Sequence, residues 1–165
     1  MNGSIANVKK ILLVEDDPRD VELTLAALQE YHLDRTVAVV DNGAEALDYL
    51  YRRGKFKTRP EGDPVVVLLD NKMPKLNGLE VLTTMKTDSR LKMIPVVVLT
   101  SSRETPDLLE FYRTGCNAYV VKPVNFSEFI NAIKQLGVFW AIINEVPVHE
   151  EIEEPSAAAA GVEEI

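Results

Sequence analysis

Residues 65–70 have the sequence VVVLLD, five apolar side chains followed by a carboxylate, and this stretch decides the fold. Three further runs are equally continuous, over residues 11–14, 94–99 and 118–121, and a fifth at 36–40 is expected at an edge. Continuous apolar strands are typical of a sheet that is covered on both faces, since a half-exposed strand alternates apolar with polar residues. The five runs therefore predict a buried parallel sheet.

Helix signals stand between the predicted strands. Pro18 suits a first helical turn, and Asn42-Gly43, Asn77-Gly78 and Thr105-Pro106 precede segments with helical apolar spacing. A last helical segment covers about residues 126–144, and the polar stretch 52–64 is expected to be an exposed loop. Five repeats of strand and helix predict an α/β fold with a doubly wound parallel sheet, right-handed crossovers and helices on both faces.

Composition predicts one domain and an acidic tail. The chain has 165 residues and a net charge of −8, and residues 145–165 hold seven glutamates without Lys or Arg. Residues 1–144 keep 19 acidic against 18 basic residues, so this domain is nearly neutral and offers no nucleic-acid footprint. No apolar run reaches the length of a membrane span. The single Cys116 favours a reducing cytoplasm, and the tail is expected to be disordered.

Polar side chains follow four of the predicted strands. These residues are Glu15-Asp16, Asp70, Thr100 and Lys122. The carboxyl ends of parallel strands meet at one edge of a sheet, so these groups are expected in one crevice. Clustered carboxylates need a cation, and oxygen ligands alone favour Mg²⁺. A carboxylate beside Mg²⁺ can attack phosphorus and form an aspartyl phosphate. Asp17, by contrast, is expected to cap the following helix.

Five motifs resemble the receiver domain of two-component response regulators. They are VEDDP at 14–18, LLDNKMP at 68–74, NG at 77–78, VVVLTSS at 96–102 and AYVVKP at 118–123. The resemblance covers about residues 8–140 and implies a flavodoxin-like sheet with strand order 2-1-3-4-5. The loop after the second helix and Phe139-Trp140 are most similar to cyanobacterial phytochrome response regulators.

The resemblance implies a role for each matching residue. Asp70 matches the phosphoacceptor. Asp16 and Asp70 would ligate Mg²⁺ directly, Glu15 through water, and Lys72 through its main-chain carbonyl. Thr100 and Lys122 match the hydroxyl and the ammonium that bind the phosphoryl group. The Lys122–Pro123 bond is expected to be cis, and Tyr119 matches an aromatic switch that moves with Thr100, although plain packing is an alternative for Tyr119.

The expected function is that of a single-domain response regulator. It would accept a phosphoryl group from a histidine kinase, of the phytochrome type, and signal through phosphorylation-dependent protein contacts rather than act as an enzyme. Lys72 and Ser102 depart from the family at positions that tune dephosphorylation. A phosphorylation-independent scaffold is an alternative. A phosphatase with an aspartyl nucleophile is disfavoured, because such enzymes generally need an acid where Lys72 stands.

The last helix carries more apolar surface than a receiver needs. Phe129, Ile133, Leu136, Trp140 and Ile143 lie at helical spacing, and the second half of this stripe is expected beyond the sheet. A bare apolar patch is typical of a partner site. We expect a homodimer through Phe139, Trp140 and Ile143, with a tail or loop folding over the patch as the alternative.

Overall fold

The computed structural model describes residues 9–101 and 104–145. Its strands are β1 (Ile11–Val14), β2 (Val37–Val40), β3 (Val66–Leu69), β4 (Val96–Thr100) and β5 (Ala118–Val121). Its helices are α1 (Pro18–Gln29), α2 (Gly43–Tyr51), α3 (Gly78–Thr87), α4 (Thr105–Thr114) and α5 (Phe126–Gly137), and Val138–Ile143 continues α5 as a π-helix. Ser102 and residues 146–165 of the expected tail lie outside the described residues.

The five strands form one parallel sheet in the order β2-β1-β3-β4-β5, which confirms the predicted fold. Val14 is in register with Val40 on one side and with Leu69 on the other. Thr100 is in register with Val121. The residues that follow these positions therefore leave the sheet at the same edge.

Each face of the sheet is covered by helices, as the continuous apolar strands predict. One face packs on α2, α3 and α4 and the other on α1 and α5, because alternate strand residues point to opposite faces. On the first face, Val67 and Val98 contact helix residues such as Leu82 and Phe111. On the second, Leu68 and Val97 belong to the same cluster as Phe129.

Three strands begin later than predicted, and for β3 the difference is one residue, since it starts at Val66. Residues 34–36 form a 3-10 turn, so β2 starts at Val37. Residues 94 and 95 were expected in β4, but Ile94 closes another 3-10 turn and Pro95 has no N–H for a sheet ladder. Strand β4 consequently starts at Val96, whose N–H donates to Asn117 Oδ1 at 2.8 Å.

The end of the last helix differs from the prediction. Trp140 packs half-buried on the core beside α1, and Ala141 is 4% exposed, so this part of the stripe is covered by the chain's own fold. Asn144 N donates to Phe139 O, a bond across five residues that winds the segment as a π-helix. The wider winding rotates Ile143 off the stripe. Phe139, Ile142 and Ile143 are left 46%, 53% and 61% exposed.

Candidate functional site

Three carboxylates converge at the carboxyl edge of the sheet. Glu15 follows β1 directly and Asp70 follows β3, and Asp70 N donates to Val14 O at 3.0 Å. One oxygen from each of Glu15, Asp16 and Asp70 lies within 4.8 Å of the others. Glu15 is buried, Asp70 is half-buried and Asp16 is exposed. The predicted acidic cluster is therefore brought together by strand register.

The loop after Asp70 is held by two glycines. A Cβ on Gly78 would lie 2.3 Å from Asp70 O, and one on Gly43 would lie 2.2 Å from Leu76 O. Asn77 caps α3 by accepting from Glu80 N at 2.9 Å, and Gly78 N donates to Asn71 O at 2.8 Å. Close backbone packing on both sides thus fixes the main chain from Asp70 to α3, including Lys72.

Lys122 supplies the cation of the site. Its main-chain N donates to Thr100 O at 2.7 Å, which places the side chain at the end of β5 next to β4. Lys122 Nζ donates to Glu15 Oε2 at 2.5 Å and to Asp20 Oδ2 at 2.8 Å, and it lies 3.8 Å from Asp70 Oδ2. The Lys122 side chain is only 11% exposed. The ammonium therefore bridges the acidic cluster and the first turn of α1.

Burial is the largest single influence on the pKa values of these groups. Burial raises the pKa of Glu15 to about 7, and the charge of Asp70 adds to the shift, against the opposing effect of Lys122. Burial also raises the pKa of Asp70, although Lys122 lowers it. Burial would lower the pKa of Lys122, but its bonds to Asp20 and Glu15 raise it instead. A cation among these oxygens would relieve the repulsion.

The donor set fits a hard divalent ion. All the converging side-chain ligands are carboxylate oxygens, and Lys72 lines a cleft together with Asp16. Mg²⁺ and Ca²⁺ prefer such oxygens, whereas zinc and softer metals favour His and Cys. A cleft of about 550 Å³ extends from Asp16 and Lys72 to Phe111 in α4, so the cluster borders this cleft through Asp16.

Thr100 and Tyr119 lie on the face of the sheet that α4 covers. Thr100 is buried at the end of β4, in phase with Val98, and Val98 is in register with Tyr119. The half-buried Tyr119 ring packs on Phe111 with 5.8 Å between ring centroids. Both residues thus lie on the same face of the sheet, and their roles as phosphoryl ligand and aromatic switch stay predictions.

The cis Lys122–Pro123 bond is wrong for this structure, because all peptide bonds between described residues are trans. A bond to proline retains an intrinsic trans preference of about 0.5–1 kcal/mol, so a cis form needs local support. The expectation rested on the resemblance alone. With the trans bond, Lys122 still contacts Glu15 and Asp20.

Sequence reasoning missed Asp20. It lies in the first turn of α1, where an acidic residue is ordinary, and its partner Lys122 is 102 positions away. No local pattern links the two. Asp17, which was expected to cap α1, does so by accepting from Arg19 N at 2.9 Å.

A family model described as the response regulator receiver domain matches residues 11–134. The chain belongs to the response regulator receiver family. Among the described residues of this receiver, no helix is long and apolar enough to cross a bilayer.

This receiver is related to phytochrome response regulators. It is 34% identical over 132 residues to response regulator Rcp1 of Synechocystis sp., covering 80% of this chain and 88% of that protein. A crystal structure of Mn²⁺-bound Rcp1 superposes with a TM-score of 0.79 at 33% identity, over 85% of this chain and 99% of that one.

Two further solved structures of phytochrome response regulators are similar to this receiver. The phosphorylated cyanobacterial phytochrome response regulator RcpA has a TM-score of 0.79 at 36% identity, covering 85% of this chain and 99% of that one. The bacteriophytochrome response regulator AtBRR is 58% identical, with a TM-score of 0.66, over 83% and 98% of the two chains. The finer similarity predicted from the loop and the last helix is confirmed.

Proposed function

We propose that this receiver accepts a phosphoryl group onto Asp70 from the phosphohistidine of a histidine kinase, in the presence of Mg²⁺. The observation that carries the proposal is the convergence of Glu15, Asp16 and Asp70 with Lys122 3.8 Å from Asp70. The RcpA structure is described as phosphorylated, which supports the same chemistry here.

The proposed reaction transfers a phosphoryl group from a histidine of the kinase to Asp70 of the receiver. An Asp70 carboxylate oxygen attacks phosphorus, the bond from phosphorus to the imidazole nitrogen breaks, and the histidine keeps the electron pair. Lys122 and the Thr100 hydroxyl would donate to the phosphoryl oxygens. Asp16, Asp70, the Lys72 carbonyl and, through water, Glu15 would hold Mg²⁺, which supplies charge neutralisation. The aspartyl phosphate is later hydrolysed slowly, and no other substrate is turned over.

Phosphorylation would change the surface around α4 and β5. Thr100 drawn towards the phosphoryl group leaves space for Tyr119, whose ring already packs on Phe111 of α4. The result is a shift between two packings, which downstream proteins distinguish by contact. The names of the relatives favour a phytochrome-type kinase as the partner, and the single cysteine favours a cytoplasmic location.

We further propose that the receiver forms a homodimer through the end of its last helix. The exposed residues Phe139, Ile142 and Ile143 support this, because apolar side chains grouped on a surface favour a partner. Trp140, which was expected in the interface, is half-buried on its own core and contributes less than predicted.

Intact mass after incubation with acetyl phosphate and Mg²⁺ tests the phosphoacceptor. The wild type should gain one phosphate, whereas Asp70→Asn and a wild-type sample with EDTA should gain none. Transfer from a phosphorylated histidine kinase should show the same pattern. A wild type that gains no phosphate from either donor would support the scaffold alternative, and full labelling of Asp70→Asn would place the acceptor elsewhere.

A further inference from the structure

We propose that Asp20 is a positioning residue that holds the Lys122 ammonium away from Asp70 and so disfavours the phosphorylated state. The inference rests on the proposed function. Lys122 Nζ lies 2.8 Å from Asp20 Oδ2 and 3.8 Å from Asp70 Oδ2, so the ammonium is bonded to α1 and not to the phosphoacceptor.

The Lys122 ammonium has few N–H groups to donate. A lysine has three N–H groups, and Lys122 commits two of them to Glu15 and Asp20. Glu15 belongs to the trio of carboxylates that could hold a cation, and that cation would weaken its hold on Lys122. Asp20 is not among the converging oxygens of that trio. The Asp20–Lys122 ion pair therefore persists when a cation neutralises the three carboxylates.

The backbone of α1 fixes Asp20 in place. Asp17 caps the helix, and the buried Thr24 donates from Oγ1 to Asp20 O at 2.7 Å. The helix therefore fixes the Cα of Asp20, and its short side chain has little reach towards a phosphoryl group on Asp70. We expect the Asp20–Lys122 contact to lengthen as the ammonium turns to the phosphoryl oxygens, and the Asp20 charge to repel the incoming dianion.

The test compares Asp20→Asn with the wild type in beryllofluoride, a mimic of the phosphoryl group, at saturating Mg²⁺. Asparagine keeps the shape and an acceptor oxygen but removes the charge that competes for Lys122. Titration calorimetry should show that Asp20→Asn binds beryllofluoride about three- to tenfold more tightly. The aspartyl phosphate of this variant should also decay more slowly.

Two controls separate positioning from general charge and from helix structure. Asp17→Asn removes a carboxylate from the same end of α1 and keeps the cap, so its beryllofluoride affinity should stay at the wild-type value. In a Lys122→Gln background, the Asp20→Asn gain should disappear, because the effect requires the ammonium.

The outcomes are distinct. Equal or weaker beryllofluoride binding by Asp20→Asn, or an equal gain in the Lys122→Gln background, would overturn the positioning role while leaving phosphorylation of Asp70 intact. A wild type that binds no beryllofluoride and accepts no phosphate would instead overturn the proposed function.

Discussion

Glu15 is the residue through which pH should act on the stability of the metal-free protein. Its pKa is raised from 4.5 in a free side chain to about 7 by burial, so the folded state binds more protons than the unfolded state between these values. The contribution of Glu15 to the free energy of unfolding is therefore fully present below pH 4.5 and is lost as pH rises through 7. The loss is on the order of 3 kcal/mol at most.

Urea unfolding in EDTA at pH 5 and pH 8 measures this effect. The wild type should be less stable at pH 8, and Glu15→Gln should lose most of that difference, because glutamine stays neutral. Saturating Mg²⁺ at pH 8 should restore wild-type stability. A Glu15→Gln protein with the same pH dependence as the wild type would assign the effect to other groups.

Substitutions in the acidic cluster should differ in their effect on Mg²⁺ affinity, because Asp16 is expected to contact the ion directly and Glu15 through water. Asp16 is exposed and Glu15 is bonded to Lys122, so Asp16 is the freer ligand. We expect Glu15→Gln to weaken Mg²⁺ binding about tenfold, as loss of an indirect contact does, and Asp16→Asn to weaken it considerably more. Titration calorimetry measures both, and equal affinities of Asp16→Asn and wild type would contradict the proposed site.

Which site residues the sequence reveals depends on how each is positioned. Glu15, Asp70 and Lys122 directly follow apolar strands, so strand register alone brings them together. Asp20 lies on a helix and meets Lys122 only because α1 packs across the sheet, which no local pattern encodes. The Lys122–Pro123 bond is trans, which is the intrinsic preference of a bond to proline, whereas the expected cis form rested on the resemblance alone.

At the scale of elements, α3 should be sensitive to its first residue. A Cβ on Gly78 would lie 2.3 Å from Asp70 O. The nearest atoms all belong to the main chain of Asp70 and Asn71, so no side chain can move aside to make room. Gly78→Ala should destabilise the fold by about 2 kcal/mol and weaken Mg²⁺ binding, because the Asp70 main chain must move.

Asn77→Ala is the matched variant for that prediction. It removes the α3 cap, which costs about 1 kcal/mol, without adding a group near Asp70. Chemical denaturation gives the stability of both variants, and Mg²⁺ titration gives their affinity. If Gly78→Ala kept wild-type stability and affinity, the close approach of α3 to Asp70 would be incorrect.

The ends of several strands and of the last helix differ from the prediction. The starts of β2 and β4 moved because 3-10 turns took up the preceding residues. On the last helix, Phe129 and Ile133 are buried as predicted, but Trp140, which was expected in an exposed patch, packs half-buried beside them. Ile143 is exposed, as expected for the end of this helix, in a segment that is wound more widely than 3.6 residues per turn.

At the scale of the whole molecule, the proposed dimer should depend on the end of the last helix. Phe139→Glu with Ile143→Glu should give a folded, phosphorylatable monomer, because both side chains are exposed and neither belongs to the buried core. Leu109→Glu is the control, as it changes an exposed apolar residue on α4. Sedimentation equilibrium measures the mass, and a wild type that is monomeric with and without beryllofluoride would contradict the dimer.

The contact between Lys122 and Glu15 joins residues 107 positions apart in the chain. During synthesis, the nascent polypeptide can pair β1 with β2 and β3 and assemble all three carboxylates long before Lys122 is made. Until β5 docks, that intermediate carries clustered negative charge with no internal counter-ion, and pairing over such a separation is slow to form. If Mg²⁺ occupies the proposed site, it should therefore act as a folding aid for the emerging chain as well as a ligand of the finished one.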